Sequence, residues 1–562
     1  MFRTKGDPTM DHASFEAAAT HEVLNQVGEP PDFNAYRQDQ ALSDAIEAFG
    51  AGWAAPKLAA CGALIGSSAM RQRAYEANRY GPELRTHDRF GHRIDQVMFH
   101  PAWHELMTQA RASETHALAW TSNQPAMQGT AQRGTAQVAR AGLAYLWGQG
   151  EPGVMCPSAM TFAAQGALAH SPDLHAQFGA KIWSTAYDPR PVPPAEKAGL
   201  VVAMAMTEKQ GGSDLRQTQT YARALGGGRY QLTGHKWFFS VPIADLFLTL
   251  ARTESGISCF LAQGWRDDGT RNGVQIQRLK DKIGNRSNAS SEVEFRDLEA
   301  VMVGAEGRGI ATIIDMAHLT RLECAIGAAA LMRQATSLAL FHASRRTAFQ
   351  RKLIDQPMMQ AVLADMALDS EAALWLSLRA AAAIDQGEAL ARVIVPVAKY
   401  FICKRAPGLV AEAVECHGGN GFVEENPIAR LYREAPLNGL WEGSGNVMCL
   451  DVIRALTRQP ESAQALRAEL VAASGLDPAL DDLLGEIEAA LAAPSHIEPQ
   501  ARRVVEQIAL ALSVAVLRTH APEPLARWFC AARIATPGLA YGAARGIDAR
   551  AMLARAAVID AA

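Results

Sequence analysis

After Gly199 the chain changes texture for roughly a hundred residues. Six short runs rich in β-branched and aromatic residues follow one another: Leu200 to Met206, Tyr230 to Val241, Leu246 to Arg252, Ile257 to Ala262, Val274 to Leu279 and Ser291 to Phe295. Six such runs in roughly a hundred residues suggest a small sandwich or barrel. Gly226-Gly227-Gly228 among them is a hairpin signal. Helical patterns stand on both sides. Before Gly199 they include Asp39 to Phe49 and Val138 to Gly148, punctuated by Pro30-Pro31 and by Arg190-Pro191-Val192-Pro193-Pro194, which reads as a linker. After Gly304 come Ile310 to Ser344, Met358 to Ala383 and Ala389 to Cys416, long enough to form a bundle. From Gln459-Pro460 onward the chain is Ala-rich and helical. The expected fold is α+β and mainly α: an N-terminal helical domain (1–199), a middle β-barrel or sandwich (200–303), a helical bundle (304–458) and an additional helical C-terminal domain (459–562).

Length and charge exclude several alternatives. A chain of 562 residues is too long for one core. Its apolar fraction of 49% and charged fraction of 20% are ordinary for a globular enzyme, and its net charge of −4 gives no global attraction to nucleic acid or to an anionic membrane. Met1 to Glu16 has no apolar core, so no secretory signal is expected there. The apolar stretch Ile508 to Leu517 in the tail is too short to span a bilayer. Eight cysteines are scattered singly, with no CxxC pair and no His cluster at zinc spacing. Reduced thiols, a cytoplasmic location and no metal site are expected.

One carboxylate stands out. Glu442 lies in Leu440-Trp441-Glu442-Gly443-Ser444-Gly445-Asn446, and Val447, Leu450, Ile453 and Leu456 recur at helical spacing behind it. The turn is therefore the entrance to a helix. Free N–H groups there favour the anion, whereas the indole and a dry pocket raise the pKa, a balance that suits proton abstraction from carbon. An isolated surface acid in a polar loop fits the same residues. Two further segments bear on the choice. Met206-Thr207-Glu208-Lys209-Gln210-Gly211-Gly212-Ser213-Asp214 follows an apolar strand, with glycines that let a ligand approach and hydroxyls that can bond to it. Gly234-His235-Lys236-Trp237-Phe238-Phe239-Ser240 reads either as core aromatics with a solvated Ser or as a wall against a flat ring.

Taken together, the Thr207 to Asp214 loop, the Gly234 to Ser240 strand and the Trp441-Glu442-Gly443 turn resemble the acyl-CoA dehydrogenase family. Arg346-Thr347-Ala348-Phe349 resembles its Arg-x-x-Phe-Gly motif, Gln356 falls where a Gln contacts adenosine, and His417-Gly418-Gly419-Asn420-Gly421-Phe422 resembles its segment beside the pyrophosphate. The resemblance covers about residues 150 to 457. Lys282-Ile283-Gly284-Asn285-Arg286-Ser287-Asn288-Ala289-Ser290 and the extra C-terminal domain narrow it to the AidB-like branch.

The resemblance implies FAD as cofactor, an acyl-CoA substrate, short or branched and of the isovaleryl kind, and weak turnover. It implies Glu442 as the base that takes the α-proton while the β-hydride passes to the flavin. FAD would be held by Met204, Met206, Thr207, Gly212 and Ser213, by Phe238, Phe239 and Ser240, and by Trp441, Gly443, Ser444 and Asn446. Ser240 would serve the flavin N5 edge, and Phe238 would cover the ring. Arg346, Phe349, Gln356, Gly418 and Gly419 would reach the FAD of a neighbouring subunit, which implies a homotetramer built as a dimer of dimers. The electron acceptor is left open.

Departures from the family pattern are also visible. Gln350 replaces the motif Gly, and Glu415 replaces a Gln near the pyrophosphate, where a carboxylate would repel phosphate. Isovaleryl-type members take their base from a Glu before an Arg on an early bundle helix; here that pair is Thr320-Arg321, which leaves Glu442 as the candidate. The branch is also associated with double-stranded DNA binding in an alkylation-damage response. From Gln459 on, nine Arg and no Lys face twelve acidic residues, a net charge of −3. Arg518, Arg527, Arg533, Arg545, Arg550 and Arg555 nevertheless form a local stripe, which solvated helix faces also show. A DNA-binding protective flavoprotein is thus the alternative, and a flavoprotein with a blocked substrate channel is a third reading.

Overall fold

Asp39 accepts a hydrogen bond from the Leu42 amide and starts α1 (Gln40–Ala48), which turns Leu42, Ala45 and Ile46 into the core. The structure, a computed structural model, describes residues 20–122, 134–492, 497–557 and 559–560. The expectation for Met1 to Glu16 lies outside the described residues. The chain continues through α2 (Ala55–Ile65), α3 (Ser68–Arg79), an antiparallel hairpin β1 (Glu83–His87) and β2 (Arg93–Met98), then α4 (Pro101–Ala112), α5 (Ala136–Gly150), α6 (Pro152–Leu168) and α7 (Pro172–Ile182). Every residue of α5 is buried, so this helix is the centre of the N-terminal part. The hairpin is a departure from the helical expectation for this part. Its strands are polar and largely exposed, so no apolar alternation marks them in the sequence.

The β segment comprises β3 (Val202–Ala205), β4 (Tyr221–Gly226), β5 (Arg229–Ser240), β6 (Leu246–Thr253), β7 (Gly256–Gln263), β8 (Val274–Leu279) and β9 (Ser290–Val303). Pairings β6–β4, β4–β5, β5–β9, β9–β7 and β7–β6 return to their start, which makes a barrel, with β3 added to β6 and β8 to β9. The three glycines do form the β4–β5 turn, all with positive φ (90°, 61° and 75°). β9 runs well past Phe295. The charged pair Arg296-Asp297 ends the apolar pattern, but a bulge with Asp297 at φ 55° carries the strand onward.

The bundle contains α8 (Gly309–Arg345), α9 (Pro357–Asp385), α10 (Ala391–Cys416), α11 (Pro427–Glu434) and α12 (Gly445–Arg458), with a two-residue-strand hairpin, β10 (Thr347–Ala348) and β11 (Arg351–Lys352), between α8 and α9. By length and composition α8 could cross a membrane, yet 83% of its most apolar window is buried inside the protein, against α5, α6, α9 and α10. The last part holds α13 (Pro460–Leu470), α14 (Pro478–Ala492), α15 (Ala501–His520), α16 (Leu525–Cys530) and α17 (Ala549–Ala556). Ile508 to Leu517 lie within α15 and are buried, apart from the half-buried Leu510. All eight cysteines are buried and free.

Candidate active site

Where α6, α8, the barrel and the turn before α12 meet, they enclose a cavity of about 1030 Å³, at the upper end of ligand-pocket sizes. Of the residues singled out in the sequence, Met204, Met206, Thr207, Gly212, Ser213, Phe238, Ser240, Trp441, Glu442, Gly443 and Ser444 line it. The pleat of β5 explains one departure. Phe238 and Ser240 share the cavity face, so Phe239 points the other way; it is 1% exposed and packs its ring 4.9 Å from Phe247. Phe239 is a core residue and not part of the wall.

The loop after β3 is shaped from within. Glu208 pairs with Lys236 at 2.7 Å and also accepts from Thr220 Oγ1 and the Gln219 amide. Burial alone would raise this carboxyl, but the Lys236 charge and those hydrogen bonds hold it at about 2. The loop then folds so closely that a Cβ on Gly212 would lie 2.4 Å from Thr207 Oγ1.

Glu442 adopts φ 58°, a left-handed conformation that side chains resist. Its turn is gripped from two helices. Arg321 Nε of α8 donates to the Glu442 carbonyl at 3.1 Å and Lys399 Nζ of α10 donates to the Gly443 carbonyl. Asp451 of α12 pairs with Arg321 at 2.9 Å and with Arg392 at 2.7 Å, which fixes the arginine in turn. On the side-chain side, Thr320 Oγ1 donates to Glu442 Oε2 at 2.8 Å. Burial pushes the Glu442 carboxyl above its ordinary range, opposed by the Thr320 hydroxyl and the charges of Arg321 and Lys399. A proton acceptor held in this way can reach into an apolar cavity.

Lys282, which the sequence marks only as the start of a branch motif and not as a site residue, also lines the cavity. Its Nζ donates to the Asn288 carbonyl and lies 3.1 Å from Ser290 Oγ, which is 3.3 Å from Ser240 Oγ. Only the β5–β9 register, which sets Ser240 opposite Ser290, brings the last two together. Asn446 lies outside the cavity lining; it is exposed and accepts from Arg502 Nε of the C-terminal part at 2.7 Å.

A second group forms a separate surface patch. Phe349 and Gln350 turn the β10–β11 hairpin at φ 51° and 65°, which explains why a Gly suits the position that Gln350 holds. Asn25 pairs with Thr347 and accepts Arg346 Nη1 on its carbonyl, Gln26 meets Asn420, and the His342 and His417 rings are 4.7 Å apart. Gln356 Nε2 donates to the Ala348 carbonyl at 3.0 Å, and Gly418 and Gly419 have open space above them. Arg346, Phe349, Gln356, Gly418 and Gly419 are thus brought together, away from the cavity. The C-terminal arginine stripe, in contrast, is partly used up inside the molecule: Arg533 binds Asp365 and Asp369, and Arg555 binds Glu371 and Asp44.

Comparison with known proteins agrees with this layout. Residues 25–189 match the adaptive response protein AidB N-terminal domain, 203–298 the acyl-CoA dehydrogenase middle domain and 307–457 the acyl-CoA dehydrogenase C-terminal domain. The AidB protein of Escherichia coli K12 is 42% identical over 92% of this chain and 95% of its own length. The chain belongs to the AidB branch of the acyl-CoA dehydrogenase family. Caenorhabditis elegans ACDH-11, solved with C11-CoA, superposes with a TM-score of 0.82 at 25% identity, covering 95% of this chain and 97% of its own. Butyryl-CoA dehydrogenase of Megasphaera elsdenii shares the fold at TM-score 0.57 and 22% identity, over 75% of this chain and 98% of its own. Acyl-CoA dehydrogenase family members are FAD-dependent oxidoreductases, and so is this protein. The cavity fits that cofactor. Apolar walls from Met204, Met206, Phe238 and Trp441 suit a flat ring, and Thr207, Ser213 and Ser240 offer hydroxyls at its edge.

Proposed function

We propose that the protein dehydrogenates a short or branched acyl-CoA thioester between its α and β carbons, with Glu442 as the base. The observation that carries this is the Glu442 carboxylate, anchored by Thr320 and aimed into the cavity where α8 meets the barrel. Bound FAD supplies the hydride acceptor. The Glu442 carboxylate takes the α-proton while Thr320 steadies Oε2, Arg321 and Lys399 hold the turn in register, and by resemblance to the family the Glu442 amide would meet the charge that develops on the thioester oxygen. ACDH-11, solved with C11-CoA, supports a thioester as ligand. Glu442→Gln is expected to retain FAD while bleaching of the flavin by isovaleryl-CoA slows by about 10²–10⁴-fold. Unchanged bleaching would place the base elsewhere.

In this reading the protein acts in the cytoplasm as a homotetramer. Support for the assembly comes from Phe349, Met358 and Phe422, which are 92%, 83% and 81% exposed in or beside the patch that holds Arg346 and Gly418; bare apolar side chains of that kind suit coverage by a second copy. Light scattering on Phe349→Ser/Phe422→Ser should show smaller species that lose FAD. The alternative, duplex DNA binding through the C-terminal arginines, has less support, because Arg533 and Arg555 are committed to internal ion pairs. A titration at low salt that shows tight, salt-sensitive DNA binding would restore it.

A further inference from the structure

We propose that Lys282 sets the reduction equilibrium of the flavin, acting through Ser290 and Ser240. This rests on the reading above, in which Ser240 serves the flavin N5 edge. Two buried lysines of the barrel region have counter-ions: Lys236 pairs with Glu208 at 2.7 Å and Lys197 with Asp245 at 2.6 Å. Among the described residues Lys282 has no ion pair, although burial penalises its charge. The titratable groups facing it are Cys156 of α6 and Glu434 of α11. Burial holds the Cys156 thiol up at about 12, hence neutral. Glu434 is committed to Asn285, accepting its amide at 2.6 Å and Nδ2 at 2.8 Å. Burial brings Lys282 down to about 8, so it keeps its charge at neutral pH. The cavity wall thus carries a positive charge that no carboxylate contacts directly, with Glu434 acting on it only through space, and such a charge favours an electron-rich ligand.

The hydrogen-bond directions make the link specific. An ammonium only donates, so Ser290 Oγ accepts from Lys282 and its own proton is free for Ser240 Oγ, 3.3 Å away. Ser240 then has its proton left to offer to the cavity. Lys282 therefore biases Ser240 toward donating and polarises that donor, without touching the ring. It is a positioning residue. The test is the midpoint potential of the FAD-loaded protein, measured against reference dyes. Lys282→Met should shift the reduction equilibrium about tenfold toward oxidised flavin, roughly 30 mV for a two-electron couple, while Lys282→Arg stays near wild type. Ser290→Ala should shift it in the same direction. Above pH 8 the wild type should converge on Lys282→Met. A wild-type potential in Lys282→Met at pH 7 overturns the proposal, and if that variant fails to hold FAD, an unchanged potential in Ser290→Ala does so. A wild-type protein that never binds FAD would instead remove the functional reading itself.

Discussion

Thr320 and Glu442 stand 122 positions apart and meet at 2.8 Å. The hydroxyl donates to the one carboxylate that the turn before α12 sends toward the cavity. Because burial raises the Glu442 carboxyl, the base form fills only as pH climbs through that raised value, so the bleaching rate should rise with pH. Thr320→Val removes a donor that favours the anion. The acid limb of the rate profile should move to higher pH, and a stopped-flow pH series in which it stays or moves down would exclude this role for Thr320. Glu442 was legible in the sequence because its neighbours Trp441, Gly443 and Ser444 are local in the chain. Lys282 and Ser290 share one sequence segment, but Ser240 joins them only through the β5–β9 register, so the three were not legible as a group.

Among the elements, the long helices were legible to within a few residues. The expected Ile310 to Ser344 is α8 at Gly309–Arg345, and the expected helix behind Glu442 is α12. Its four apolar markers divide their work: Ile453 and Leu456 are buried, while Val447 and Leu450 line the cavity. Periodicity showed a helix but could not separate core from site. β4 was missed because its residues are almost all exposed and alternate nothing apolar. The loop after β3 offers a test at this scale. Gly212→Val would place carbon against Thr207, 2.4 Å from its hydroxyl, and should force the loop open. Flavin retained through gel filtration should fall at least tenfold, with the far-UV circular dichroism unchanged.

At the scale of the molecule, the C-terminal part is tied to the bundle by buried charge. Asp369 accepts from Arg405, Arg533 and Tyr541, and Asp365 from Arg533 and the Gly542 amide. Burial alone would raise the Asp369 carboxyl, but Arg405 and Arg533 hold it at about 2. A carboxyl depressed in the fold contributes its stability above the unfolded value of about 4 and loses it as pH falls from there toward about 2. Asp369→Ala, which leaves the partly buried Arg405 without a carboxylate and Arg533 with Asp365 alone, should cost about 3–5 kcal/mol in urea unfolding at pH 7, and the loss should shrink near pH 3. A second consequence concerns the catalytic turn. The left-handed backbone at Glu442 stores strain of about 1–3 kcal/mol, which a glycine there would relieve. Robustness and chemistry therefore pull against each other at this one residue. A descendant freed from the need to turn over substrate would gain stability by giving the acid up.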